Sequence, residues 1–174
     1  YFEFVVNEPK LEMSTVAGNF VPSMKIAESV ENQKFYEYLN FIESKSGRAQ
    51  VLKKKLESAE GKEKEKLQEQ LLEVDKEVIA YKTKFIEENP ELLVSKVFKA
   101  SAEPYVPEYK DILDEEERQR VRYREFKSQY LSDVDFTDER LLRTPVFHNK
   151  LSYYMSKLVP QVPDSVIKEA DLLV

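Results

Sequence analysis

The sequence lacks cysteine and tryptophan and contains one histidine and three glycines in 174 residues. Without cysteine, these residues form no disulfide, no zinc–thiolate site and no thiol nucleophile. One histidine excludes most histidine-based metal sites and Ser-His-Asp catalysis. Three glycines are too few for glycine-rich phosphate loops or a β-rich fold. We therefore predict a helical chain that is not an enzyme, with no catalytic residue, no cofactor and no metal ligand.

The sequence also has no apolar run near the roughly 20 residues that a membrane span requires. Its 27 basic and 33 acidic residues give a net charge of −6, which argues against nucleic acid or an anionic membrane as partner. Apolar residues make up 41%, which is too many for a disordered chain. The start lacks both methionine and a basic leader segment, so we expect a piece of a longer protein.

The first 28 residues carry strand signals. Aromatic and β-branched residues fill Tyr1–Val6, and polar and apolar residues alternate in Lys10–Thr15 and again in Ser23–Ala27. Two or three strands are marginally stable alone. We therefore interpret residues 1–28 as the remnant of an N-terminal β-domain and residues 29–174 as a helical domain that continues past the C-terminal end.

From Ser29 onward the apolar period is helical, in two stripes separated by Gly61. If the chain folds back near Gly61, facing residues have a constant sum of residue numbers, and the matched pairs sum to about 123. The sequence thus predicts a long antiparallel helical hairpin, although one uninterrupted rod is an alternative, since a single glycine costs a helix only about 1 kcal/mol. The hairpin predicts a set of side chains buried in mutual contact: Leu39, Ile42, Leu52, Leu56, Leu67, Leu71, Val78, Tyr81 and Phe85.

Proline and capping residues divide the remainder into shorter helices. A helix is predicted to start at Asn89–Glu91, and another spans Asp114–Leu131. A short turn comes after Thr137, and a further helix starts at Thr144 and ends before Pro160. The last helix begins at Asp164 or Ser165. The fold class is therefore mainly α: a long hairpin, further packed helices and a short N-terminal β segment.

Three features resemble chemical sites, and a structural role explains each of them better. The Asp133–Glu139 segment resembles half of a calcium loop but lacks the glycine and glutamate that an EF-hand needs. His148, the only imidazole, has no second histidine near it in sequence and is predicted to be hydrogen-bonded or exposed. Four alternate arginines scatter around a helix, which favours ion pairing over phosphate binding. They are Arg118, Arg120, Arg122 and Arg124.

Two longer stretches and a short one resemble a known family. MKI followed by ESVENQKFYEYL, in residues 24–39, resembles the join between a small β-domain and a helix in TlpA-like thioredoxin-family proteins of Gram-negative gut bacteria. EENP at residues 87–90 resembles the helix breaker of that family. DFTDERLLRTPVF at residues 135–147 is similar to a motif of the helical domain of unknown function that precedes the thioredoxin domain.

The resemblance implies an exported periplasmic or envelope protein with a β-domain, a helical domain and a thioredoxin domain. Redox chemistry in that family uses a Cys-x-x-Cys pair, and no position here carries it. We therefore expect a non-catalytic accessory domain that positions the redox domain or recognises a partner protein. A homodimerisation or scaffolding module and a helical module that binds a peptide or small ligand are the alternatives. We also expect contact with another copy or chain through Tyr1–Val6 or the last helix.

Overall fold

The computed structural model describes residues 2–173 and divides into two compact units, Tyr1–Ser95 and Lys96–Val174. The architecture is mainly helical with a short N-terminal sheet, so the predicted fold class is confirmed. The strands and the long hairpin lie together in the first unit. The assignment of residues 1–28 to a separate β-domain stays a prediction.

The N-terminal sheet contains two short antiparallel strands. Strand β1 (Glu12–Ser14) pairs with β2 (Lys25–Ala27), and Met13 lies opposite Ile26. Both strands lie within predicted strand segments, Lys10–Thr15 and Ser23–Ala27. The first predicted strand begins at Tyr1, outside the described residues, and residues 2–6 lie in no sheet.

The predicted hairpin is formed by α1 (Val30–Leu56) and α2 (Gly61–Glu88), which pack against each other. Ser29 caps α1, because its hydroxyl accepts a hydrogen bond from the Asn32 N–H. The chain reverses between the helices, and Gly61 adopts φ +53°, a left-handed conformation that glycine tolerates best. The alternative of a single rod is therefore excluded.

The contacts along the hairpin agree with the predicted register. Leu52 and Leu67 lie in one buried cluster, and farther from the turn the rings of Phe41 and Tyr81 stack at 3.9 Å. Between these two levels, Lys45 pairs with Glu77. The residue numbers in each pair sum to about 120, which is close to the predicted constant.

The predicted burial of the hairpin is only partly correct. Leu52, Leu67 and Phe85 are buried, and so is Val74, but the other six predicted members are half-buried. A packed helix pair covers one side of each helix, which leaves the flanks of the stripe open to solvent. The half-buried members are Leu39, Ile42, Leu56, Leu71, Val78 and Tyr81.

The segment after α2 departs from its prediction. Helix α2 ends at Glu88 as expected, but α3 spans Leu93–Ala100 and does not begin at Pro90. Residues 90–92 form a turn, and the Asn89 carbonyl accepts a hydrogen bond from the Leu92 N–H. The start of α3 is instead held by a side chain of α1.

The second unit contains α4 (Glu115–Gln129), a 3-10 turn (Leu141–Arg143), α5 (Pro145–Tyr153), a π turn (Tyr154–Leu158) and α6 (Pro163–Leu173). Thr144 caps α5 as predicted, while Asp114, which was predicted to be the first residue of its helix, is the cap of α4. The predicted turn of residues 138–142 begins later, at Leu141, and α6 begins one residue earlier than expected. The core of this unit gathers side chains of α4, the π turn and α6: Phe126, Tyr130, Leu131, Tyr154, Met155, Leu158, Val159, Val166 and Leu173.

Candidate functional site

The first unit contains a buried polar network at the start of α1. Residues 2–8, which we call the strap, are fastened to the helix mainly by side chains. The Asn32 carboxamide accepts from the Val5 N–H and donates to the Val5 carbonyl, both at 2.8 Å. The Tyr36 hydroxyl donates to the Glu3 carbonyl at 2.9 Å. A helix side chain thus takes the place that a neighbouring strand would occupy beside the strap.

Two carboxylates complete this network. Glu31 is 1% exposed, and its carboxylate accepts from the Asn7 amide at 2.6 Å and from the Val94 N–H at 2.7 Å. The Val94 N–H belongs to the first turn of α3, so Glu31 supplies the cap that the local sequence lacks. Glu8 of the strap accepts from the Ser29 hydroxyl and from the Glu31 N–H.

The arrangement holds three segments together: the strap, the start of α1 and the start of α3. Ser29, Glu31 and Asn32 are each almost fully buried, and their side chains bond to backbone or side-chain partners of the same unit. Carboxylates at helix N-termini also gain from the helix dipole. These groups are therefore committed to structure and leave no exposed acid–base pair at this place.

The second unit holds an ion-pair cluster around Lys96. The ammonium lies 2.8 Å from the Asp135 carboxylate and 3.0 Å from that of Asp138, and Arg140 also binds Asp138. The bond from Lys96, together with donors from Thr137, lowers the pKa of Asp135 to about 2. The Arg140 guanidinium holds the pKa of Asp138 well below its usual range.

The cluster changes the interpretation of the segment that resembles half a calcium loop. Asp135 and Asp138 point at cations of the protein, and Asp138 also accepts from the Arg140 N–H at 3.0 Å. A structural role was predicted for this segment, without a partner for either acid. The pairing with Lys96, 39 residues away, could not be read from the local pattern.

A second cluster joins α4, the π turn and α6. The Lys127 ammonium lies 2.5 Å from the Glu169 carboxylate, which also accepts from the Tyr154 hydroxyl at 2.7 Å. Burial and this hydrogen bond to an anion raise the pKa of Tyr154 to about 12. Lys127 and Tyr154 together lower the pKa of Glu169. The phenol is thus held in its protonated form and donates its hydrogen.

Lys150 is a buried cation with carbonyl partners. Its ammonium donates to the Ala102 carbonyl at 2.6 Å and to the Tyr130 carbonyl at 3.0 Å, and it lies 4.5 Å from the centre of the Tyr130 ring. Burial lowers the pKa of Lys150, although Asp133 and Glu103 oppose that shift. The Lys150 side chain therefore links the loop that contains Ala102 to the end of α4. A cation–π contact with the Tyr130 ring adds to this link.

His148 and the arginines of α4 lie at the surface. The His148 Nε2 atom is 2.9 Å from the Leu142 carbonyl, and the ring is exposed. Arg118 pairs with Glu115, and the guanidinium of Arg120 lies 3.4 Å from the Glu116 carboxylate. The predicted ion pairing is therefore observed for Arg118 and Arg120, two of the four arginines.

Sequence reasoning missed the buried polar side chains. Glu31 and Asn32 lie in the first turn of α1, where acids and amides are commonly exposed, so nothing local marked them as buried. Lys150 did carry a signal. It lies three residues after Phe147 and four before Tyr154, and therefore on the apolar stripe of its own helix.

Among residues 2–173, no group of three or more His, Cys, Asp or Glu side chains is placed to hold a metal ion. Within the same residues, no helix is both long enough and apolar enough to cross a membrane. In comparisons with known proteins, the chain matches no family model, no curated protein and no solved structure.

Proposed function

We propose that this chain is a non-catalytic accessory module of a thiol–disulfide protein of the cell envelope, and that it positions the redox domain or recognises a partner protein. The periplasmic location and the thioredoxin-like parent come from the resemblance of residues 24–39, 87–90 and 135–147. The module supplies a surface that holds the redox domain or binds the partner, while any thiol chemistry takes place in the rest of the parent protein.

The observation that supports this proposal is the contrast between buried polar groups and exposed apolar ones. Glu31, Lys96 and Lys150 are each bonded into the scaffold. Leu72 (59% exposed) and Ile79 (66%), by contrast, are apolar side chains that lie two turns apart on one face of α2 and are open to solvent. Exposed apolar residues that share a face favour contact with another protein.

The proposal is tested on the product of the complete gene. We expect a Cys-x-x-Cys domain in it, and we expect the purified 174-residue chain alone not to reduce insulin disulfides, because it has no thiol. The complete product and its redox domain alone are then compared on insulin and on a small aromatic disulfide. Partner recognition is supported if the complete product has a lower KM for insulin than the redox domain alone, while the two have the same KM for the small disulfide.

Two results would contradict the proposal. A gene product without a Cys-x-x-Cys pair would remove the accessory role. If the complete product and its redox domain alone have the same KM and the same turnover on each substrate, the module neither recognises the protein substrate nor positions the redox domain.

Homodimerisation is a second candidate function. The apolar stripes of α1 and α2 are already packed together within the chain, so this surface is not free to pair two copies. A feature of the first unit that remains open to another copy is instead the strap, where Phe4 and Val6 are exposed apolar side chains.

A further inference from the structure

Helix α2 carries a second row of apolar side chains on a side that α1 does not cover. Leu67 and Val74 are buried against α1. A step of five residues turns the direction of a helical side chain by about 140°, so Leu72 and Ile79 point well away from that contact. Ile86 continues the row, because it lies seven residues after Ile79. Leu72 and Ile79 are exposed and Ile86 is half-buried, and we call these three residues the outer row.

Two charges of opposite sign lie beside the outer row. Asp75 and Lys82 are also seven residues apart, and each comes three residues after a member of the row, so both lie on the same flank of it. About 10 Å of helix axis separates them, whereas ion pairs within a helix form between residues three or four apart. The acid lies in one half of the row and the base in the other. The row is therefore complementary in charge to a reversed copy of itself.

We propose that the outer row pairs with the outer row of a second copy of this chain, with the two α2 helices antiparallel and centred on Ile79. The inference rests on the proposed function, because it names the protein that this face of α2 contacts. Such a contact is isologous, since the same surface of both copies takes part in it. A pair of copies would hold two redox domains in one assembly.

The register follows from the spacing and the charges. Centred on Ile79, the pairing places Leu72 of each copy against Ile86 of the other, so three apolar layers form. It also places Asp75 of each copy beside Lys82 of the other, which gives two ion pairs on one flank of the contact. Complementary charges of this kind fix the register of an interface more than they add to its affinity.

A second antiparallel register is opposed by its charges. Centred midway between Leu72 and Ile79, it would set these two side chains against each other. It would also bring the two Asp75 carboxylates together on one flank and the two Lys76 ammonium groups together on the other, and like charges in contact are unfavourable. In the register centred on Ile79, Lys76 lies beside Thr83 instead.

The contact is small, because three apolar layers form it, and such contacts lie at the weak end of protein interfaces. Cross-linking suits a weak contact, and the chain has no native cysteine to interfere. Helices that pack with their axes about 8–10 Å apart bring facing Cα atoms into the range that a disulfide spans. Ile79→Cys should therefore form a disulfide-linked dimer under mild oxidation.

The matched control is Val51→Cys, which places a thiol at an exposed apolar position of α1 in the same unit. We expect Ile79→Cys to cross-link about tenfold faster than Val51→Cys, since pairing raises the effective concentration of the two thiols. Leu72→Cys should cross-link slowly by itself but rapidly when mixed with Ile86→Cys. Equal rates at positions 79 and 51 would overturn the proposal, and rapid self-linking at position 72 would overturn the antiparallel arrangement.

A second measurement exchanges the charges. Sedimentation equilibrium of the unmodified chain should show weak self-association, and Asp75→Lys should weaken it by about tenfold, because each new ammonium group then lies beside Lys82. Adding Lys82→Glu to Asp75→Lys should restore the association, since the pairs form again with their signs exchanged. The control Glu73→Lys makes the same change of net charge at an exposed position outside the row and should have no effect. Circular dichroism checks that each variant keeps its helices.

Two results would contradict the pairing: a chain that is monomeric at millimolar concentration, and a double variant that associates as weakly as Asp75→Lys alone. Failure of the pairing and failure of the proposed function are distinguishable. A monomeric chain whose complete product still has a lower KM for insulin than the redox domain alone would overturn the pairing and leave the accessory role in place.

Discussion

Glu31 offers the sharpest test of how the first unit is held together. Replacing it by alanine leaves the Val94 N–H of α3 buried without a partner and removes the tether from Asn7 to α1. A buried donor without a partner costs about 1–3 kcal/mol, and the lost tether costs about 1 kcal/mol more. We therefore expect Glu31→Ala to lower the free energy of unfolding by about 2–4 kcal/mol.

Glu31→Gln should cost much less, about 1 kcal/mol. The glutamine carbonyl can still accept from the Val94 N–H, and the exposed Asn7 carboxamide can turn over to accept from the new amide. The surface control is Glu37→Ala, which removes an exposed pair with Lys34 and should change stability by less than about 0.5 kcal/mol.

The assay is urea unfolding followed by circular dichroism, since the chain has no tryptophan to report by fluorescence. The two compact units need not unfold together, and the change should fall on the transition that belongs to residues 1–95. If Glu31→Ala is no more destabilising than Glu31→Gln or Glu37→Ala, the carboxylate does not hold α3, and this reasoning fails.

Two further predictions concern the hairpin core and the acid range. Leu67→Ala should lower the free energy of unfolding by about 2–4 kcal/mol, because the Leu67 side chain is only 7% exposed. Leu72→Ala should lower it by less than about 1 kcal/mol in the same assay, because Leu72 is 59% exposed. Because the pKa of Asp135 is lowered to about 2, its stabilisation is present above about pH 4 and lost as the pH falls toward 2. NMR titration of the carboxyl groups should show that Lys96→Met raises the pKa of Asp135 toward about 3.9, while the control Lys99→Met leaves it low. An unchanged pKa of Asp135 in Lys96→Met would refute the role given to Lys96.

The hairpin was predictable because its information is local and repeated. Two stripes of helical period matched across one glycine, and the same pattern gave the register. The caps at Ser29 and Thr144 were equally readable, since each precedes a helix with its oxygen acceptor in place.

The polar networks were not predictable, because their partners lie far apart in sequence. Val94 receives its cap from a residue 63 positions earlier, which is why the start of α3 was misplaced. The half-burial of the hairpin stripe has a similar origin. A stripe gives the side of a helix that is covered, but it does not say how many neighbours cover it.

The π turn at Tyr154–Leu158 has a consequence for how the sequence tolerates change in length. The Val159 N–H reaches back five residues to the Tyr154 carbonyl, at 3.1 Å, so this turn contains one residue more than an α-helix would. Deleting Ser156 would turn the π turn into an α-helical turn, because Val159 would then lie four residues after Tyr154 and its N–H would still reach the same carbonyl. Leu158 and Val159, both buried, would keep their places in the core. A one-residue deletion should therefore be tolerated better here than inside α5, where it would rotate the residues that follow by about 100°.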